Sequence, residues 1–323
     1  MFPYLAALAS ALLMWAAFPP LDIGPVAFVA PIPLFWALRR VERGFEAVSI
    51  GFLWGTVFFG MLLYWITILG FIAWVPLVLL MAAYYAAYSL LVWLFRLWPA
   101  WRWWLIAIGG WAVVEFLRAR FPFGGFPWGN IGYAAGGFVP LLGSVQFVGP
   151  AGWTVIAVAF AAAAALLIDS RDNWRQFVDT TVVIVLLGVV GALFAPSADG
   201  NPVRVAIVQG GSPCPMVHCQ NENQRIFESH LALTETIPDG GADLVVWAEN
   251  STGPPFDPES NDSVKAAIIA EAGRIDAYFL VSGTRKVDPD GFLNVNMLYS
   301  PEGVKIGEYA KQHPVPFGEY VPL

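Results

Sequence analysis

Three residues in the last part of the chain have the types and spacing for acyl chemistry. Glu249 closes an apolar run, Leu244-Val-Val-Trp-Ala-Glu-Asn-Ser-Thr252, which then breaks into Thr252-Gly-Pro-Pro255. A buried strand hands a charged side chain to the mouth of a site in this way. Lys311 follows a second strand-like run, Val304 to Ala310, and Glu319 comes after a turn. A carboxylate base, an ammonium and a supporting carboxylate on successive strand ends can deprotonate a nucleophile and stabilise an oxyanion. The nucleophile itself is not among these three.

The elements that must position them read as an α/β layer. Residues 195–202, Ala-Pro-Ser-Ala-Asp-Gly-Asn-Pro, are rich in breakers and mark a boundary. We divide the chain into a membrane domain at 1–195, a linker at 196–202 and a globular domain at 203–323. In the globular part, strands are expected at 203–209, 243–247 and 278–281, with helices at 222–236 and 262–275. Residues 292–299 and 304–309 read as a hairpin closed at Ser300-Pro-Glu-Gly303.

The first part is of a different class. With 58% hydrophobic and 13% charged residues, the chain is too apolar for a soluble protein. Its apolar residues arrive in blocks of membrane-spanning length, giving about seven spans: 4–18, 23–38, 47–69, 75–97, 103–117, 151–168 and 180–194. The first lacks a basic start, and Phe18-Pro-Pro-Leu21 is a poor cleavage site, so it is read as a span and not a signal peptide. Residues 1–195 carry nine basic and seven acidic side chains, against eight and seventeen in 196–323. The acidity of the second part excludes nucleic acid as a partner. Seven of the nine Arg residues, Arg39, Arg40, Arg43, Arg96, Arg102, Arg171 and Arg175, fall in alternate connections. Basic loops stay inside, so the amino terminus is expected in the cytoplasm and the globular domain outside it.

Two features of this part invite chemistry. The connection Phe121-Pro-Phe-Gly-Gly-Phe-Pro-Trp-Gly-Asn130, continuing through Tyr133, is too apolar for a solvated loop and too rich in Gly and Pro for a helix. It reads either as an interfacial aromatic belt or as a lipid contact made by Phe126, Pro127, Trp128 and Tyr133. Glu115 lies in the fifth span, with Arg118 one turn on; a local ion pair is the simple reading and a headgroup contact the alternative. Gly51, Gly55 and Gly60 are spaced for close helix packing.

Trp247-Ala-Glu-Asn250 resembles the Glu motif of the nitrilase (carbon–nitrogen hydrolase) superfamily, and Lys311 with Pro316-Phe-Gly-Glu319 resembles its Lys motif. Together with the membrane part, the resemblance narrows to the apolipoprotein N-acyltransferases and runs over nearly the whole chain. It implies a multi-span α-helical membrane domain followed by an αββα nitrilase-like domain, incomplete at Leu323. The implied reaction moves an acyl chain from a phospholipid to the amino-terminal amine of a diacylglyceryl-cysteine apolipoprotein through a Cys thioester. It takes place at the bacterial inner membrane without metal or other cofactor. Glu249 would be the general base, Lys311 the oxyanion ligand and Glu319 the residue that orients the amine. The family's nucleophilic Cys follows the Lys motif by several tens of residues, so the chain to Leu323 is expected to be an inactive fragment.

Ala248 stands where the family usually has Pro. Cys214 and Cys219 precede the Glu motif and are not placed as the nucleophile; they form either a disulfide or two free thiols. With His218 alone between them they do not make a zinc set. His313 is a bystander. The alternatives are a membrane-tethered nitrilase-like amidase and a catalytically inactive membrane partner of an envelope enzyme.

Overall fold

The computed structural model describes residues 1–137, 142–195, 200–214, 219–287, 291–315 and 319. The chain divides into two compact units, Met1–Ser197 and Ala198–Leu323.

In the first unit the described helices are α1 (Phe2–Ala16), α2 (Ile32–Arg40), α3 (Gly44–Leu62), α4 (Phe71–Leu94), α5 (Ala100–Arg118), α6 (Val145–Asp169) and α7 (Trp174–Leu193). Four of these, α3, α4, α6 and α7 with the turn before it, are long and apolar enough to cross a membrane, whereas α1 is apolar but shorter. The expected span at 23–38 is not one helix. Pro25 opens a short 3₁₀ segment, Gly24–Phe28, Pro31 follows it, and α2 begins only at Ile32. Proline has no N–H to give and clashes with the preceding turn, so the apolar run is divided where its prolines fall. The expected span at 47–69 likewise ends at Leu62, and a 3₁₀ segment, Tyr64–Leu69, leads through Gly70 into α4.

The core of this unit is aromatic. Trp54 lies 4.7 Å from Tyr85 and 5.6 Å from Trp111, and Tyr88 lies 5.1 Å from Trp111, ring centre to ring centre. These side chains are fully buried, and such pairs add to the burial of their area. The crossing of α3 and α4 is close because Gly51 and Gly55 leave no room for a methyl. A Cβ on Gly51 would stand 2.3 Å from the Tyr85 carbonyl oxygen, and one on Gly55 would stand 2.6 Å from the Ala82 Cα. Gly60 also faces α4 but is not required for the close approach; a Cβ there would meet Trp74 at an ordinary 3.7 Å. The long helix α6 bends at Gly149-Pro150, where Gly149 has φ of 64°.

The second unit is built on one five-stranded sheet in chain order: β1 (Val205–Val208), β2 (Leu244–Trp247), β3 (Tyr278–Val287), β4 (Gly291–Tyr299) and β5 (Lys305–Ala310). β1, β2 and β3 are parallel, joined by α8 (Glu222–Thr234) and α9 (Asp262–Ile275), and β3, β4 and β5 are antiparallel. Asn261 caps α9 by accepting from the Ser263 and Val264 amides at 3.1 and 3.2 Å. Both helices cover the same face of the sheet. There Val245, Phe279 and Tyr299, then Trp247, Val281 and Met297, form rows against Phe227, Val264, Ile268 and Ala272. The arrangement is one α/β half of the layering that the resemblance implies. Two details depart from expectation. β3 runs on to Val287 instead of ending at 281, and it pairs along its length with β4, so the expected two-stranded hairpin is part of a three-stranded meander.

Candidate functional site

Glu249 is placed by a turn that is tied to β3. The chain leaves β2 at Ala248, whose amide donates to the Val208 carbonyl at 3.2 Å, and reverses at Asn250 in the left-handed region with φ of 59°. The Asn250 side chain accepts from the Thr284 hydroxyl at 3.0 Å, which fixes the turn. Beyond it, the Ser251 hydroxyl donates to the Ser282 carbonyl at 2.7 Å, the Thr252 amide donates to the same oxygen at 3.0 Å, and the Thr284 amide returns a bond to the Thr252 carbonyl at 3.1 Å. Thr252 passes directly over Gly283, the only residue type that leaves space for it: a Cβ there would lie 2.7 Å from the Thr252 carbonyl oxygen.

Lys311 reaches the same point from the end of β5, its amide donating to the Asn294 carbonyl at 2.8 Å. The Lys311 Nζ donates to Glu249 Oε1 at 3.2 Å and to Glu319 Oε1 at 3.0 Å. The remaining Glu319 oxygen accepts from the Val315 amide at 2.5 Å. Three residues picked out by type and spacing thus meet around one amine, across 62 and 8 positions of sequence. Burial alone would lower the Lys311 pKa, but the bonds to Glu319 and Glu249 outweigh it and hold the amine above its ordinary value. Burial would raise Glu319; the Asn294 amide, the Val315 amide and Lys311 together hold it below the usual carboxylate range. Glu249 is less enclosed than an apolar strand suggests, with 59% of its side chain exposed. It stands after the strand has ended, clear of the helix-covered face.

Asn294 was not among the residues singled out by type and spacing. Its Nδ2 donates to Glu249 and, at 3.0 Å, to Glu319, so one neutral amide separates the two carboxylates opposite the ammonium. The available signal was the alternation in β4, where Asn294 and Asn296 share one face while Val295, Met297 and Tyr299 are buried on the other. A second ionic group braces β5 on the helix side. Arg285 donates to Asp257 at 3.2 Å and to Glu308 at 2.8 Å, and Lys305 donates to Glu259 at 2.6 Å and to Glu308 at 3.0 Å.

Cys214 and Cys219 form a disulfide, with the Arg225 guanidinium 3.8–3.9 Å from the two sulfurs. Among the described residues no group of three or more His, Cys, Asp and Glu side chains converges as a metal set. Pro316, Phe317, Gly318 and Tyr320, which carry the Lys signature, and His218 lie outside the described residues.

In the first unit, Pro127, Trp128 and Tyr133 are exposed and Phe126 is half-buried. Trp128 stacks near Phe126 and meets Trp65, another exposed aromatic, with ring centres 5.4 Å apart. Glu115 and Arg118 are both buried but direct their hydrogen bonds to other partners instead of a local ion pair, and the Arg118 Nε makes none. Glu115 accepts from the Trp111 indole, the Ile131 amide and the Thr154 hydroxyl, while Arg118 donates to the Phe126 and Trp128 carbonyls and to Asn130.

Residues 10–163 match the family profile described as Apolipoprotein N-acyltransferase N-terminal domain. The apolipoprotein N-acyltransferase of Geobacter metallireducens is 29% identical over 99% of this chain and 65% of its own length. That of Nitrosomonas europaea is 28% identical over 100% of this chain and 66% of its own length. That of Brucella suis is 30% identical over 94% of this chain and 63% of its own length. The chain therefore spans a little under two-thirds of the length of these curated relatives. With one domain matched and similarity running on through the sheet that carries Glu249 and Lys311, the chain is similar to the apolipoprotein N-acyltransferases over nearly all of its length.

Proposed function

We propose that the protein moves an acyl chain from a membrane phospholipid to the amino-terminal amine of a diacylglyceryl-cysteine apolipoprotein. The observation that carries this reading is the meeting of Glu249, Lys311 and Glu319 at one ammonium on an α/β sheet. The nucleophile in this reading is a cysteine that, as the resemblance implies, follows the Lys motif by several tens of residues. Glu249 takes the thiol proton, and the thiolate attacks the ester carbonyl of the phospholipid. Lys311 faces the oxyanion of the tetrahedral intermediate, and Glu319 with Asn294 keeps its amine aimed. The C–O bond then breaks, the lysophospholipid alkoxide leaves with the proton held by Glu249, and a thioester remains. In the second half the lipoprotein amine attacks the thioester, losing a proton to Glu249, and the thiol is released as the amide forms.

The apolar helices support a lateral supply of both lipid substrates, and the loop at 121–133 is the part we assign to the acyl donor. The alternating Arg-bearing connections support a cytoplasmic amino terminus in the bacterial inner membrane, with the sheet on the outer side. The test is acyl transfer, by the product of the complete reading frame, from a chain-labelled phospholipid to a diacylated lipopeptide. Transfer lost in Glu249→Gln and Lys311→Ala supports the reading. Hydrolysis of soluble amides without transfer would replace it with the amidase, and neither activity would leave an inactive partner protein.

A further inference from the structure

The loop after α5 is held by two buried charges at once. Glu115 is 5% exposed and Arg118 fully buried. The Arg118 guanidinium lies over the Phe59 ring, 5.1 Å from its centre, and donates to the Phe126 carbonyl at 3.0 Å, the Trp128 carbonyl at 2.5 Å and the Asn130 side-chain oxygen. The Glu115 carboxylate takes the other end of the same stretch. It accepts from the Ile131 amide at 3.0 Å, and from the Thr154 hydroxyl at 2.8 Å, which itself accepts from the Gly132 amide at 3.0 Å. Its remaining bond comes from the Trp111 indole at 3.1 Å. The guanidinium thus meets the Phe126 and Trp128 carbonyls and the Asn130 side chain, while the carboxylate meets the Ile131 amide and, through Thr154, holds the Gly132 amide. Irregular backbone inside an apolar helix bundle is tolerated only when its polar groups are met in this way.

What the clamp presents is an aromatic surface. Gly129, Ile131 and Gly132 are buried, while Trp128 and Tyr133 are each 51% exposed, and Trp128 leans on the equally exposed Trp65. Two buried charges are expensive in such a setting, and here they fix rings that contribute little to the interior.

We propose that Glu115 and Arg118 are positioning residues that set Phe126, Trp128 and Tyr133, with Trp65 beside Trp128, as the contact for the acyl-donor phospholipid. This rests on the acyltransferase reading above. Lysine at 118 keeps the charge but has one nitrogen where the fork supplies two, so it cannot hold both carbonyls and Asn130.

The experiment uses the product of the complete reading frame in detergent micelles, with a dioleoyl phospholipid as donor and a diacylated lipopeptide as acceptor. Arg118→Lys should raise KM for the phospholipid about tenfold with kcat within about twofold, the pattern of lost substrate binding. KM for the lipopeptide should not move. Glu115→Ala should behave like Arg118→Lys, whereas Glu115→Gln, whose amide oxygen still accepts from Ile131, should remain within about twofold of wild type. Where Glu115→Ala does not fold, Thr154→Val removes the hold on Gly132 with a change of one atom. Hydrogen exchange at the Ile131 and Gly132 amides is read in parallel and should quicken in Arg118→Lys, Glu115→Ala and Thr154→Val. A phospholipid KM that stays fixed while those amides lose protection overturns the proposal, as does a rise confined to the lipopeptide KM. The amide readout separates the two claims. A wild type without transfer activity whose amides still open in Arg118→Lys refutes the acyltransferase reading and leaves the clamp, whereas unchanged amides overturn the clamp whatever the activity.

Discussion

Gly283→Ala places one methyl where the Glu249 turn crosses β3. The new Cβ would stand 2.0 Å from the Thr252 Oγ1 and 2.7 Å from the Thr252 carbonyl oxygen. The hydroxyl can rotate away, but the carbonyl cannot, since it accepts from the Thr284 amide at 3.1 Å. Ordinary contact begins at 3.4 Å, so the Thr252 backbone must retreat by about 0.7 Å, an overpacking of the kind that costs about 1–3 kcal/mol. If that cost is released when the turn opens, the Thr252 and Thr284 amides should exchange about 5- to 150-fold faster, the Boltzmann equivalent of that range. Glu249 lies three residues before Thr252, and a shift approaching 1 Å at a reacting group can cost about a hundredfold in rate. The assay is hydrogen exchange together with acyl transfer in the product of the complete reading frame. Gly291→Ala, where a Cβ would find nothing nearer than the Val287 carbonyl oxygen at 3.7 Å, serves as the control. Unchanged exchange at both amides with an unchanged rate would refute the claim that Gly283 sets the position of Glu249.

Asn294→Asp should remove both side-chain donors from Glu249 and Glu319 and set a third carboxylate before Lys311. We expect a loss of transfer of at least about tenfold at pH 7, partly recovered towards pH 5 as one carboxylate takes up a proton; a flat, wild-type profile would show that the amide does not bridge the site. His230 should make the second unit sensitive to mild acid. Its Nδ1 lies 2.7 Å from the Ile226 carbonyl and its Nε2 accepts from the Gly210 amide at 3.1 Å, while burial outweighs the Ile226 bond and holds the imidazole below its ordinary value. With the folded value below the unfolded one of about 6.5, this contribution is full above 6.5 and declines as pH falls through it towards the folded value. Thermal unfolding followed at pH 7 and pH 5 should therefore show a lower midpoint at pH 5, and His230→Gln should reduce the difference.

Strand ends and their charged residues were legible in the sequence because an apolar run leading to a lone carboxylate or amine has few local explanations. Glu249, Lys311 and Glu319 are such residues, and they meet. Asn294 was not legible, because an amide on an alternating strand looks like any solvent-facing position until its partners arrive from β2 and β5. Glu115 and Arg118 misled for a related reason. A spacing of three on a helix favours a local pair, but the competing partners are backbone groups 8 and 16 positions away and a hydroxyl 39 positions away, which no helical period reveals. Prolines decided the division of the 23–38 run, a local signal that hydrophobic length alone overrode. The pairing of β3 with β4 was hidden by Ser282-Gly-Thr-Arg285, too polar to be read as strand but held by a full antiparallel ladder.

The order of the sheet bears on how the second unit is made. Every strand lies beside its neighbour in sequence. Each pairing can therefore form as its strand leaves the ribosome, with no gap held open for a later arrival, and the antiparallel pairs β3–β4 and β4–β5, being the more local, close faster than the parallel ones. Glu249 is in place once β3 has docked under Thr252, but the amine it faces arrives about 60 residues later. During synthesis Glu249 is thus present well before its counter-charge, and the cluster stays incomplete until β5 has joined the sheet and Glu319 has reached Lys311.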